Sequence, residues 1–169
     1  GAPILAAEAA VHSGAGKVTL GVPEVIKQVV QGRIIPEVMV TSTEAHKAML
    51  EGRQVVAMGP GLGRTSDIPD FVDSILDSYE GPLVLDADAL YALGHVGSVD
   101  KDALRDGDIE SIYAVERELP YCVMTPHLGE FSRLIDLPIK WIERHYITLA
   151  REFAKAHQVV LVLKGIPPV

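Results

Sequence analysis

The sequence predicts an α/β fold, a doubly wound and mostly parallel sheet with helices on both faces. Two observations support this fold class. Strand-like apolar runs alternate with helical patterns along the chain of 169 residues, and this order of elements is typical of parallel sheets covered by helices. The runs are also apolar throughout instead of alternating with polar residues, as expected for strands that are buried on both faces.

The predicted elements follow one another with clear boundaries. Strand-like runs lie at residues 17–22, 36–40, 54–59, 82–86, 121–124 and 158–163. Helical patterns lie at residues 3–13, 23–31, 66–79, 129–135 and 138–157. Several of these helices begin with Pro or with a capping residue, and some end near Gly, which are the usual signals for helix boundaries. In such sheets, ligands bind beyond the carboxyl ends of the strands.

Length and composition predict a single globular domain over residues 1–169. The chain is 48% hydrophobic and 22% charged, and its longest aliphatic run, Val159 to Leu163, is too short to cross a bilayer. The N-terminus lacks a basic leader, and the single Cys122 cannot form an internal disulfide. We therefore expect a cytoplasmic protein with no membrane partner.

The charge pattern argues against nucleic acid as a partner. The net charge is −8, and acidic and basic residues are mixed along the chain, so no long-range positive field is expected. Any phosphate group must then be bound locally, by helix N-termini or glycine-rich turns.

Residues 94–120 interrupt the alternating pattern. This segment is polar and acidic, and we expect it to form a surface excursion with a short helix around residues 109–118. We assign it no role in the site.

Three glycines punctuate the loop that follows the third predicted strand, in the sequence Gly59-Pro60-Gly61-Leu62-Gly63. The dinucleotide fingerprint does not fit, because its third glycine falls on Arg64 and Pro60 removes an N–H. A P-loop is also excluded at residues 11–18, since Val occupies both the first glycine position and the hydroxyl position. The turn is either a tight connection or a place where backbone approaches a ligand.

Polar residues follow three other predicted strands. Asp86 ends one strand, where it could hold magnesium or a hydroxyl group, whereas Asp88 is explained by capping of the next short helix. His127 leaves a strand after Thr125-Pro126 and precedes a helix, a position suited to a polar ligand. Lys164 leaves the most apolar strand, where it could meet a phosphate, pair with an acid or extend into solvent.

Taken in order, these motifs resemble those of the ADP- or ATP-dependent NAD(P)H-hydrate dehydratases, which belong to the ribokinase-like superfamily. The matching segments are GAPILAAEAAVHSGAGKVTL, MGPGLG, LVLDADAL, TPHLGEF and VLKG. The resemblance covers residues 1–165 apart from 94–120. It implies repair of NADH or NADPH whose nicotinamide ring has taken up water, with ADP or ATP as co-substrate and Mg²⁺ as cofactor. It also suggests a homo-oligomer.

The resemblance implies site residues position by position. Ala2, Gly61 and His127 correspond to contacts with the hydrated dinucleotide, and Gly63 lies close by. Lys164, Gly165 and Ile166 correspond to the start of the nucleotide-binding loop. Asp86 is the candidate metal ligand from its place after a strand.

Departures from the family pattern make the predicted fold incomplete. The family places its catalytic Asp in a later Gly-Thr-Gly-Asp motif, and this chain ends at Val169. We therefore expect no catalytic residue within the chain, truncation at both ends and no activity of the isolated chain. Tyr91 stands where the family commonly has Asn, and Leu128 where it usually has Pro.

Two other functions are compatible with the same fold. One is a ribokinase-like kinase that phosphorylates a vitamin precursor or a sugar, which the glycine turn and the Thr-Pro-His turn disfavour. The other is a non-catalytic nucleotide-binding module.

Overall fold

The structure is a computed structural model that describes residues 1–107 and 112–165. The chain folds into two compact units, Gly1–Arg53 and Gln54–Val169. The prediction of a single domain stays a prediction.

The first unit contains two parallel strands that alternate with helices along the sequence. Its elements are α1 (Ala2–His12), β1 (Val18–Val22), α2 (Glu24–Gln31), β2 (Val38–Ser42) and α3 (His46–Leu50). Val18 pairs with Val38 at one end of β1 and β2, and Val22 pairs with Ser42 at the other. Val22 and Val38 are buried together with Val30 of α2, so apolar residues on both strands anchor this unit.

The second unit contains most of the secondary structure. Its elements are β3 (Val56–Met58), α4 (Ile68–Ser78), β4 (Leu83–Leu85), α5 (Ala87–Leu93), β5 (Gly97–Val99), α6 (Lys101–Asp106), β6 (Tyr113–Val115), β7 (Cys122–Met124), α7 (Leu128–Leu134), α8 (Ile139–His157) and β8 (Val160–Leu161). Across both units, each of the strand-like runs in the sequence is confirmed as a strand within a few residues. The helical patterns outside residues 94–120 are confirmed as helices in the same way.

A parallel sheet with the strand order β3-β4-β7-β8 organises the second unit. Leu83 and Leu85 of β4 and Cys122 and Met124 of β7 are completely buried. The mostly parallel α/β fold class is thereby confirmed. Because parallel strands share one direction, the loops that follow β3, β4, β7 and β8 leave the sheet at the same edge.

Helices of the second unit bury large side chains in its core. Phe131 of α7 and Phe153 of α8 are fully buried and meet edge to face with their ring centroids 5.3 Å apart. Val72 and Ile75 of α4 are also buried. Aromatic burial of this kind contributes more than area alone, because the edge of one ring is attracted to the face of the other.

The helix predicted around residues 109–118 is wrong where the structure describes that segment. Tyr113–Val115 forms β6, which pairs antiparallel with β5, and residues 108–111 lie outside the described residues. The Tyr113 hydroxyl donates a hydrogen bond of 2.9 Å to the Leu149 carbonyl. A Cβ on Gly97 would lie 2.6 Å from the Ala114 carbonyl oxygen, so glycine permits this close pairing.

Three apolar residues anchor the segment formed by residues 94–107 and 112–120, and the surface excursion stays a prediction. Val96, Leu104 and Ile112 are almost completely buried. Asp100 caps α6 by accepting hydrogen bonds from two backbone N–H groups, and Gly107 ends the helix in the left-handed conformation. Because most residues of this segment are polar, its composition does not indicate that these three apolar residues are buried.

No helix in the described residues has both the length and the apolar character needed to span a membrane.

Candidate functional site

Four loops of the second unit meet at the carboxyl edge of its sheet. The loop after β3 is the glycine turn, residues 59–63, and the loop after β4 begins with Asp86. His127 follows β7, and Lys164 follows β8. Lys164 and His127 form an isolated parallel bridge, and the Lys164 N–H donates to the Pro126 carbonyl at 2.8 Å. The structure thus brings together these residues, each of which was predicted to mark a site.

The glycine turn is held against the loop after β4. Gly59, Gly61 and Gly63 all have positive φ, at 130°, 77° and 86°. A Cβ on Gly59 would lie 1.7 Å from the carbonyl oxygen of Asp86, so no other residue fits there. Gly61 and Gly63 are exposed, and nothing lies within 4 Å of the Cβ position of Gly63, so a ligand can approach this turn closely.

Asp88 does not cap a helix, contrary to the prediction. Asp86 occupies the N-cap position of α5 and makes no side-chain cap hydrogen bond. The Asp88 carboxylate instead accepts the Gly63 N–H at 3.0 Å and the Arg64 Nε–H at 3.2 Å. Neither aspartate side chain therefore caps α5. Asp88 therefore ties the end of the glycine turn to α5.

Asp86 and Lys164 form an ion pair across the exit of β7. The Lys164 Nζ donates to Asp86 Oδ1 at 2.7 Å, with 45% of the Lys164 side chain and 29% of the Asp86 side chain exposed. The sequence left open whether Lys164 meets a phosphate, pairs with an acid or extends into solvent, and in this structure it pairs with an acid. The pair places one positive and one negative charge at the carboxyl edge of the sheet.

The backbone between the two aspartates is strained. Ala87 has a φ of +48°, a left-handed conformation that costs a residue other than glycine on the order of 1 kcal/mol or more. It joins Asp86, paired with Lys164, to Asp88, bonded to the glycine turn. Contacts on both sides therefore hold this bend in place.

His127 begins α7 with a capping box. Its Nδ1 accepts hydrogen bonds from the N–H groups of Gly129 and Glu130, and the Glu130 carboxylate accepts the His127 N–H at 2.8 Å. A neutral imidazole that accepts at Nδ1 carries its proton on Nε2. Nε2 lies 3.3 Å from Glu130 Oε1, and the side chain is 59% exposed. His127 thus combines a structural role with an N–H donor that a ligand can reach.

The described residues do not fit a protein-built magnesium site. Within residues 1–107 and 112–165, no group of three or more His, Cys, Asp or Glu side chains could hold a metal ion. The Asp86 carboxylate already binds the Lys164 ammonium. Mg²⁺ in nucleotide sites is often held mainly by phosphates with one or two carboxylates, and metal binding by Asp86 stays a prediction.

Cys122 of β7 is unsuited to act as a nucleophile. The residue is fully buried, and burial raises the pKa of its thiol to about 11. The thiolate is the reactive form of cysteine, so Cys122 is not a candidate catalytic residue.

Of the remaining predicted site residues, Ala2 belongs to the first unit and Gly165 to the second. Ala2 is exposed and begins α1 in the first unit, with Gly1 as its N-cap. Gly165 follows Lys164 directly. Ile166 lies outside the described residues.

Sequence interpretation missed residues that hold the loops together. Gly59 was counted with the turn but not recognised as the point of closest backbone approach. The sequence does not indicate that the guanidiniums of Arg64 and Arg133 lie over the Tyr91 ring. A signal for the His127 cap was present, because Glu130 follows three residues later, as in a capping box.

The chain has the fold of ribokinase-like proteins. A ribokinase-like superfamily protein from Enterococcus faecalis aligns with a TM-score of 0.73 and 24% identity, over 96% of this chain and 52% of that one. The ADP/ATP-dependent NAD(P)H-hydrate dehydratase from Bacillus subtilis, co-crystallized with ATP/Mg²⁺, aligns with a TM-score of 0.68 and 26% identity, over 96% of this chain and 52% of that one.

Sequence comparison narrows the class to one family. The NAD(P)H-hydrate dehydratase family model matches residues 1–168, so the chain belongs to this family. The bifunctional NAD(P)H-hydrate repair enzyme of Salinibacter ruber is 35% identical over 100% of this chain and 31% of its own length. The ADP-dependent (S)-NAD(P)H-hydrate dehydratase of Bacillus subtilis is 31% identical over 98% of this chain and 53% of its own length. The chain thus spans about a third to about half of these relatives.

Proposed function

We propose that the full natural protein containing this chain dehydrates hydrated NADH or NADPH, with ADP or ATP as co-substrate. The observation that carries the proposal is the convergence of the glycine turn, Asp86, His127 and Lys164 at one edge of a parallel sheet. Membership of the NAD(P)H-hydrate dehydratase family supports it. So do the names of the relatives, which refer to NAD(P)H-hydrate repair and to ADP.

The proposed reaction removes water from the ring in two steps. The ring hydroxyl gives its proton to a base while its oxygen bonds to the terminal phosphorus of the nucleotide, and the P–O bond to the leaving nucleotide breaks, so that the nucleotide leaves one phosphate shorter. The C–O bond then breaks with its electron pair on the departing phosphate, and a ring proton is lost to form the new double bond. The products are NADH or NADPH, the shortened nucleotide and inorganic phosphate.

The residues of the second unit have complementary roles in this proposal. The exposed backbone of Gly61 and Gly63 admits the hydrate closely, and the His127 Nε2–H donates a hydrogen bond to it. The ammonium of Lys164 attracts the phosphates of the nucleotide, and Gly165 and Ile166 continue that loop. Ala2 is proposed as a further hydrate contact from the family resemblance alone.

Phosphoryl transfer also requires a base and positive charge that neutralises the phosphates. We propose that the catalytic Asp lies beyond Val169, so that the isolated chain is inactive. Mg²⁺, which phosphoryl transfer generally uses to neutralise charge, is proposed as the cofactor. A homo-oligomeric and cytoplasmic protein is also proposed.

The test is an activity assay on the full natural protein. Hydrated NADH is incubated with ADP or ATP and Mg²⁺, and the return of the dihydronicotinamide absorbance is followed, with a nucleotide-free reaction as control. We expect NADH to reappear only with the nucleotide. Phosphorylation of a sugar or a thiazole with no effect on hydrated NADH would favour a small-molecule kinase. Nucleotide binding without any turnover would favour a non-catalytic module.

A further inference from the structure

We propose that Asp88, Tyr91 and Arg133 are positioning residues that fix the glycine turn relative to the helix that carries His127. The inference rests on the proposed function, since it assigns these residues to the hydrate side of the same site. Together with Arg64 they form one connected set of contacts, here called the Arg–Tyr clamp (Arg64, Asp88, Tyr91 and Arg133).

One end of the clamp holds the glycine turn. Both carboxylate oxygens of Asp88 are used, since Oδ2 accepts the Gly63 N–H and Oδ1 accepts the Arg64 Nε–H. The Asp88 side chain is only 18% exposed although that of Arg64 is 60% exposed. The Asp88 carboxylate thus holds both Gly63, the last glycine of the turn, and Arg64, the residue after it.

Tyr91 forms the centre of the clamp. The guanidinium carbon of Arg64 lies 4.2 Å from the centroid of its ring, and that of Arg133 lies 3.7 Å from it. Both distances are within the range of a cation–π contact. Arg133 also donates a hydrogen bond of 2.8 Å to the Tyr91 carbonyl, so the ring and the backbone of one residue bind Arg133.

The other end of the clamp reaches the His127 helix. Arg133 lies in the last turn of α7, and His127 caps the first turn of the same helix. A continuous path therefore runs from Gly63 through Asp88, Arg64, Tyr91 and Arg133 to α7. The glycine turn cannot move relative to the His127 helix without breaking a contact in this path.

These contacts are better suited to positioning than to stabilising the fold. Tyr91 is 40% exposed, and exposed ion pairs and cation–π contacts contribute little to the free energy of unfolding. Small displacements of groups that bind a substrate have much larger effects on rate and affinity. The clamp should therefore influence hydrate binding more than it influences thermal stability.

The test compares variants of the full natural protein in the dehydration assay. Tyr91→Ala removes the ring, whereas Tyr91→Phe keeps the ring and removes only the hydroxyl. We expect Tyr91→Ala to raise the KM for hydrated NADH by about threefold to tenfold, the scale of one or two weak contacts. The KM for the nucleotide and the melting temperature should change little, and Tyr91→Phe should behave as the unmodified protein.

Asp88 and an unrelated tyrosine provide independent comparisons. Asp88→Ala should raise the KM for hydrated NADH as Tyr91→Ala does, because it releases Gly63 and Arg64 together. Tyr121, which is 66% exposed and outside the clamp, serves as the matched control, and Tyr121→Ala should leave both KM values unchanged.

The outcomes separate the two proposals. An active unmodified protein whose hydrate KM is unaffected by Tyr91→Ala and Asp88→Ala overturns the positioning role alone. A fall in melting temperature with no change in hydrate KM also overturns it, because the clamp would then be structural. An unmodified protein without dehydratase activity overturns the proposed function and, with it, this inference.

Discussion

Gly59 makes the closest backbone approach of the candidate site. Its φ of +130° is one that residues with a Cβ rarely adopt, and a Cβ there would lie 1.7 Å from the Asp86 carbonyl oxygen. Both the conformation and the contact therefore require glycine. The close approach of the loops that follow β3 and β4 depends on glycine at this position.

Replacement of Gly59 by Ala is expected to destabilise the protein by at least about 3 kcal/mol, because the clash is with backbone and cannot be relieved by a side-chain rotation. The matched control is Gly107→Ala. Gly107 also has positive φ, at +80°, but nothing lies within 4 Å of its Cβ position, so a loss of only about 1 kcal/mol is expected. Urea unfolding of the full natural protein measures both values. Equal losses for the two variants would refute the close approach.

Residue types predicted where the site residues lie along the chain, but they did not predict which residues contact one another. The order Gly59 to Gly63, Asp86, His127 and Lys164 was visible because polar and glycine residues follow apolar runs. Their pairings could not be predicted, since Lys164 and Asp86 are far apart in sequence and meet only through the strand order β4-β7-β8. Asp88 was assigned to capping for a similar reason, because its partner Gly63 belongs to another loop.

At the scale of elements, segments with a clear periodic pattern of apolar residues were predicted well and segments without one poorly. Helix α8 was predicted at residues 138–157 and is observed at Ile139–His157, although His145 departs from helical geometry within it. The pair of β5 and β6 was missed because each strand has three residues and little apolar pattern. Their pairing depends on Gly97 and on the contact of Tyr113 with Leu149, which are separated in sequence.

The buried end of α8 is expected to make the protein sensitive to acid. His157 is 4% exposed, and its ring centroid lies 4.3 Å from that of Phe153. Burial lowers the pKa of His157, with the Arg117 backbone acting in the opposite direction. The unfolded chain therefore binds a proton at this residue more readily than the folded protein does, so stability falls as the pH drops below about 6.5.

The variant His157→Asn tests this dependence. It removes the titrating group, so the variant should lose less stability than the unmodified protein between about pH 8 and about pH 5, whatever its stability at the higher pH. The measurement is the free energy of unfolding in urea across this pH range. Parallel stability curves for the two proteins would show that His157 does not cause the acid sensitivity.

At the scale of the whole molecule, the fold class followed from the alternation of strands and helices, and the family followed from the order of the motifs. The structure confirms the parallel α/β arrangement within the second unit, and the family model matches residues 1–168. The chain covers only part of its relatives. The catalytic Asp implied by the resemblance stays a prediction.

The central claim is that the carboxyl edge of this sheet binds the hydrated cofactor, with His127 as a hydrogen-bond donor. His127→Ala would also remove the cap of α7, since Nδ1 accepts two backbone N–H groups. His127→Asn is sharper, because Asn is a good N-cap residue but lacks the Nε2–H. An exposed histidine elsewhere in the second unit, His95, which pairs with Glu116, supplies the control variant His95→Asn.

The most direct measurement is the Kd of hydrated NADH for the full natural protein, determined by calorimetry without nucleotide so that no turnover occurs. Loss of one hydrogen bond of roughly 1–2 kcal/mol should weaken binding to His127→Asn by about fivefold to thirtyfold. His95→Asn should bind as the unmodified protein does. Equal affinity of His127→Asn and the unmodified protein would contradict the account and leave His127 with a capping role alone.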